Sequence, residues 1–188
     1  MGKCIEYIKA DLYRYTGNTG WKSFLMQYFH RGEGFKFSVW LRICHFTYQR
    51  FPARYTVFPI ARMMYRKYRY KYGYDIGYET EIGPGLLLYH FGGVVFVPKK
   101  CGKNATISQG TTVGMKFYAA QQRYPVLGDN VYMAPGSCAI GDITIGSGTA
   151  IGTSSVLMSS VAENSVVVGI PGKVIANTGS KEYVKNPV

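Results

Sequence analysis

The sequence predicts a mainly β fold, a three-sided β-solenoid behind a small helical region, and three observations carry that prediction. An aliphatic or small apolar residue recurs every six positions: Ile76, Ile82, Leu88 and Val94, then Ile107 and Val113, then Leu127, Met133, Ala139, Ile145, Ile151 and Leu157. A small residue follows many of them, as in Ile82-Gly83, Val113-Gly114, Ile145-Gly146 and Ile151-Gly152. Charge and tyrosine content change abruptly near residue 73. A period of six matches neither the 3.6 of an amphipathic helix nor the 2 of a half-buried strand, and fixed-period self-similarity marks a solenoid.

The first 72 residues form the helical part. They hold fourteen Lys and Arg against three acids, whereas residues 73–188 hold eight against seven, so nearly all of the net charge of +12 lies here. Ile5, Ile8 and Leu12 fit one helix face, and Phe24, Leu25, Tyr28 and Phe29 another before Gly32 and Gly34. A third helix is expected from Phe35 to Arg50, ending before Pro52, and a fourth from Pro59 to Tyr70. In the fourth, Ile60, Met63, Met64 and Tyr68 share a face while Arg62, Arg66, Lys67 and Arg69 crowd the rest. Residues 50–72 thus suit a peripheral contact with an anionic membrane surface, since cations meet headgroups and Tyr rings sit at the interface. The plainer reading packs the Tyr and Met stripe on the first coil of the solenoid. Nucleic acid is not expected, because no recognition motif accompanies the charge. The N-terminus lacks the apolar core of a signal peptide and no run of eighteen apolar residues occurs, so a cytoplasmic location is expected.

Residues 73–176 form the prism, and 177–188 a C-terminal tail. One inward aliphatic residue per side and a turn per corner close a coil with three hexapeptides, giving about four coils. Each coil buries its apolar edge only against its neighbours. Two intervals break the beat: Val94 to Ile107 takes thirteen residues and Val113 to Leu127 fourteen. The second holds an excursion over 114–125, read as a loop, and excursions from a rigid scaffold are where binding residues concentrate. Cys4, Cys44, Cys101 and Cys138 show no CxxC or metal spacing. Cys101 and Cys138, at or beside repeat positions, are expected to pack as small apolar groups.

Proton chemistry needs an acceptor, and His90 is the prism's one histidine. It stands two residues past Leu88, so its ring should emerge at a corner, where an imidazole can take a hydroxyl proton at neutral pH. A surface histidine without a role is the competing reading. One histidine also supplies no three-imidazole zinc site, so no metal is expected.

The stretch from Asp75 through Ile76-Gly77, Ile82-Gly83-Pro84-Gly85 and Leu88-Tyr89-His90 resembles the start of the left-handed parallel β-helix in serine acetyltransferases, a branch of the hexapeptide-repeat acyltransferases. Ile107-Ser108-Gln109-Gly110, Arg123-Tyr124-Pro125 and Val168-Gly169-Ile170-Pro171-Gly172-Lys173 continue the similarity. The resemblance implies that His90 is the general base and that Asp75, fifteen residues earlier, orients it; a turn or cap role is the alternative for Asp75. It implies acetyl-CoA as co-substrate, no permanently bound cofactor, and a homotrimer whose active sites lie between subunits. Gly114, Ala134, Gly152, Thr153 and Gly169 occupy positions similar to those lining the CoA groove, and Lys173 one from which a cation meets a CoA phosphate. For each glycine, a corner needing an unusual φ is the competing explanation.

The departures concern the acceptor. Serine acetyltransferases usually carry Asp-His where this chain has Tyr89-His90, and Arg-His-Pro where it has Arg123-Tyr124-Pro125. Arg123, similar to the carboxylate-holding arginine, is retained, whereas the acid that pairs with serine's ammonium is absent. Tyr89 and Tyr124 offer aromatic faces and hydroxyls suited to a sugar ring. The expectation is therefore an acetyl-CoA-dependent O-acetyltransferase acting on a sugar hydroxyl of a surface polysaccharide or its precursor. L-serine is the alternative acceptor, and a non-catalytic β-helix scaffold the reading of another class.

Overall fold

The structure, a computed structural model, describes residues 2–118 and 121–188, with the side chains of Arg31 and Tyr118 left aside. Four α-helices precede the prism: α1 (Gly2–Thr16), α2 (Trp21–Met26, continued by a π turn over Gln27–Arg31), α3 (Glu33–Thr47) and α4 (Val57–Tyr72). Pro59 sits in the first turn of α4, where a missing N–H costs little. Gly73 caps that helix in the left-handed conformation with φ 66°.

The prism has five coils rather than four. Its first face stacks the strands Tyr74–Ile76, Val94–Phe96, Thr112–Gly114, Cys138–Ile140 and Val156–Leu157 in parallel. The second stacks Glu81–Ile82, Lys100–Cys101, Val126–Leu127 and Thr144–Ile145, and Val161 extends it by a bridge to Ile145. The third stacks Leu87–Leu88, Thr106–Ile107, Tyr132–Met133, Ala150–Ile151 and Val166–Val168, closed by the antiparallel strand Lys173–Ala176.

Register converts the six-residue beat into three inward columns. They are Ile76-Phe96-Val113-Ala139-Leu157, Ile82-Cys101-Leu127-Ile145-Val161 and Leu88-Ile107-Met133-Ile151-Val167. Fully burying one such aliphatic side chain is worth about 1.5–3 kcal/mol, so the columns are the main source of cohesion. Phe96, not Val94, holds the first column in the second coil, while Val94 pairs with Tyr74. The corner between Leu88 and Phe96 carries two extra residues and the next step to Cys101 is one short, which accounts for the thirteen-residue interval. Cys101 is buried in its column as expected, but Cys138 is only partly covered.

Two further expectations change, and the tail acquires a course. The excursion is an antiparallel hairpin, Lys116–Tyr118 against Gln121–Arg123, rather than a strandless loop; Ala119 and Ala120, also part of that expectation, lie outside the described residues. The tail folds back along the corner between the second and third faces: Ser180 N–H donates to Gly148 at 2.8 Å, Val188 N–H to Asn104 Oδ1 at 3.0 Å, and Lys185 C=O accepts from Arg14 at 2.7 Å. Helix α4 buries Ala61, Tyr65 and Tyr72, leaving Ile60 and Met63 on the surface.

The helices are fastened by buried charge. Asp11 and Arg42, fully enclosed, pair at 2.9 Å, and Asp11 Oδ1 also accepts from the N–H groups of Gly85 and Leu86. Arg42 donates onward to the carbonyls of Ile82 and Gly83, and Arg14 to Gly85 C=O and Thr106 Oγ1. Every charge in this joint has a partner, the condition on which burial of ions is tolerable.

Candidate active site

His90 stands exposed at the swollen corner between the third and first faces. Its φ of 52° places it in the left-handed region, which a non-glycine residue occupies at a cost; the third, fourth and second coils turn one residue later, at Gly136, Ser154 and Gly110. Two bonds, one to the first strand and one to the end of α4, hold the corner. Tyr74 Oη donates to His90 C=O at 2.6 Å, and Gly92 N–H donates to Tyr72 C=O at 2.9 Å. The backbone is thereby pinned while the imidazole faces solvent.

Asp75 lies on the outward side of the first strand, beside Tyr74, in a cleft of about 320 Å³ shared with Arg69, Tyr70, Gly93 and Val95. Its carboxylate is held by Arg69 of α4, and among the described residues no hydrogen bond joins it to the His90 ring. Asp75 and His90 thus share one end of the prism, but the orienting contact expected between them is replaced by an ion pair. In the sequence Arg69 is one cation among many on the fourth helix. Its helical angle is the usable signal, since it borders the buried Tyr65 and Tyr72 rather than the outer face.

Arg123 and Tyr124, expected to meet the acceptor, occupy the opposite edge of the first face. Arg123 ends the hairpin and donates to Asp142 at 2.6 Å, and Tyr124 Oη donates to Gln122 Oε1 at 2.6 Å. These side chains and Lys99 line a second cleft of about 330 Å³. Tyr89 flanks His90, with ring centroids 6.4 Å apart. One coil beyond His90, Gln109 carries an enclosed Oε1 that has no hydrogen-bond partner among the described residues.

The expected CoA set is divided. Ala134, Gly152, Thr153 and Gly169 lie on the His90 edge, with Lys173 opening the antiparallel strand beside them, whereas Gly114 lies on the hairpin edge. The N–H groups of Ala134 and Gly152 already donate to Ile151 and Val167 of the next coil, at 2.9 and 2.8 Å. Packing explains Gly152, since a Cβ there would come 2.9 Å from Val168 and 3.1 Å from Val167 C=O, and Gly169 needs its φ of 97°. Gly114 differs: a Cβ would meet only Thr112 Cγ2 at 3.8 Å, so nothing in the fold requires it to be small. Among the described residues no group of three His, Cys, Asp or Glu side chains is placed to hold a metal ion.

No family model matches the chain. It is 34% identical over 147 residues to a serine acetyltransferase of Bacillus pumilus, a match covering 77% of this chain and 65% of that protein. The chain therefore spans just under two thirds of that relative's length, and a match over 77% of 188 residues runs past positions 75, 90 and 123 wherever it begins. Soybean serine acetyltransferase apoenzyme superimposes with TM-score 0.74 at 25% identity, over 93% of this chain and 70% of that one. The Neisseria gonorrhoeae serine acetyltransferase in complex with serine does so with TM-score 0.67 at 27% identity, over 92% and 68%. The chain is thus a homologue of serine acetyltransferases, built on the left-handed β-helix of hexapeptide-repeat acyltransferases.

Proposed function

We propose that the chain transfers an acetyl group from acetyl-CoA to the hydroxyl of L-serine. The observation that carries this reading is the 34% identity to a serine acetyltransferase over 147 residues, a span wide enough to run past positions 75, 90 and 123. In the proposed step the His90 imidazole takes the serine hydroxyl proton as the oxygen attacks the thioester carbonyl. The C–S bond then breaks, and the imidazolium returns its proton to the departing CoA sulfur. No covalent acyl-enzyme is needed.

Acetyl-CoA is the donor, and no resident cofactor is required. Gly114 supports a ligand groove because packing does not explain its size. The separation of His90 from Arg123 and Tyr124 on two edges supports a homotrimer, in which one subunit's hairpin edge meets its neighbour's histidine edge. For the N-terminal region we propose peripheral contact with a membrane surface; no helix among the described residues is long and apolar enough to cross one.

A sugar acceptor, expected from Tyr89 and Tyr124, has less support than serine, the acceptor named by the relatives. Incubating the protein with acetyl-CoA and either L-serine or a panel of sugars, while following thiol release, tests the proposal. Thiol release with serine is expected. Turnover with a sugar but not serine overturns the acceptor, and no turnover with any acceptor leaves the scaffold reading.

A further inference from the structure

Between Glu33 and Asp75 the chain contains no acidic residue, yet it contains nine Lys and Arg. Helix α4 and the turn before it present much of this charge outward, together with apolar side chains that the fold does not use. Phe51, Tyr55, Ile60 and Met63 are between 61% and 85% exposed. On α4, Ile60, Met63 and Lys67 follow one another at i, i+3 and i+7 along the outer side, while the inner side, Ala61, Tyr65 and Tyr72, packs on the prism core. Arg62 and Arg66 flank the apolar stripe on one side and Lys71 borders it on the other, with Lys67 extending the stripe toward the C-terminal end of the helix.

We infer that this outer face of α4, with the Phe51–Tyr55 turn, is a docking surface for an anionic lipid bilayer. The inference rests on the proposal of peripheral membrane contact, not on the acyltransferase reading, and narrows it to one face and one headgroup chemistry. Charge decides the occupant. A second copy of the face would set its cations against themselves with no acid to offset them. A nucleic acid matches the cations but offers nothing to the Ile60 and Met63 stripe. An anionic bilayer matches both, because its headgroups meet the flanking Arg and Lys while the stripe enters the boundary of the acyl chains. The C-terminal end of α4 carries Arg69 and Tyr70, which line the Asp75 cleft. A bilayer seated on this face therefore lies beside the cleft and adds negative potential there.

The test uses the full chain in vesicle flotation. Vesicles of phosphatidylcholine alone are compared with the same vesicles containing phosphatidylglycerol, at low and high salt. Recovery with the anionic vesicles, reduced by salt, is expected. Removing two cations by Arg62→Gln with Arg66→Gln should lower partition roughly thirtyfold, at about 1 kcal/mol per surface cation. Ile60→Ser with Met63→Ser should lower it at both salt concentrations, since the apolar part of the contact is not screened. All four positions are exposed, and circular dichroism melting checks that the variants fold. Equal recovery on neutral and anionic vesicles overturns the headgroup assignment while leaving membrane contact standing. No recovery on either overturns both. Variants that float like the parent overturn the face, as does self-association through it in place of lipid binding.

Discussion

His90 has the exposure that the proposed general base needs, while Asp75, the residue expected to orient it, is held by another group. Asp75 is bound to Arg69, whose guanidinium offers a charge-assisted contact that a neutral imidazole cannot match. If Asp75 orients His90 during catalysis, Arg69 competes for the carboxylate. Asp75→Ala should then lower kcat while Arg69→Ala should not, and equal losses would make Arg69 part of the positioning apparatus instead. His90→Ala should cost about 10²–10⁴ in kcat, the usual worth of a general base, and leave CoA binding unchanged in calorimetry. Gly114 provides a separate reading of the donor site. Gly114→Val has room in the isolated fold and should leave the melting temperature unchanged, yet raise KM for acetyl-CoA severalfold if the groove runs past it. A normal KM would remove Gly114 from the site.

At the level of elements, the joint between helices and prism depends on two residues that the hydrophobic pattern hides. Asp11 and Arg42 sit within helices whose apolar spacing is unremarkable, and only their complete burial reveals that they fasten α1 and α3 to the corner at Ile82–Leu86. Asp11→Ala leaves the Arg42 guanidinium buried with its main partner gone, together with two orphaned backbone N–H groups. The expected loss is about 3–5 kcal/mol, seen as a lower midpoint in urea denaturation. A loss below about 1 kcal/mol would mean that water reaches the joint and that the pair behaves as a surface bridge. The fourth helix teaches a related point. Its amphipathicity was legible, but which arc packs was not, because Tyr as well as Ile and Met can fill a core position. Tyr65 took the buried place by donating its hydroxyl to Ile76 C=O at 2.6 Å, and Ile60 and Met63 were left outside.

For the whole molecule, the prism was legible because one aliphatic residue per six is a geometric demand of three-sided coils, repeated often enough to survive local exceptions. The exceptions are opaque where spacing alone cannot assign a residue to a column: two residues added at the His90 corner shift the place from Val94 to Phe96. The Arg69–Asp75 and Arg123–Asp142 pairs join residues six and nineteen apart on different elements, so no periodicity announces them. Burial, in the helices and the coils alike, also governs how the chain responds to base. Burial, partly offset by nearby arginines, pushes the thiol of Cys44 from 9.0 up to about 12, and that of Cys101 likewise to about 12. Burial raises the Tyr15, Tyr65 and Tyr74 phenols as well. In the unfolded chain these groups ionise at their ordinary values, so above about pH 9 the unfolded state loses protons that the folded state keeps. Their contribution to stability is complete below that pH and is lost as pH rises towards the folded values. The urea midpoint should therefore hold steady from about pH 7 to 8.5 and fall progressively between about pH 9 and 12. Iodoacetamide at pH 8 should label the partly covered Cys138 in the native protein and reach Cys44 and Cys101 only after denaturation. A midpoint that stays flat through about pH 11, or native labelling of Cys101 as fast as Cys138, would mean that the coils open readily enough to expose their columns.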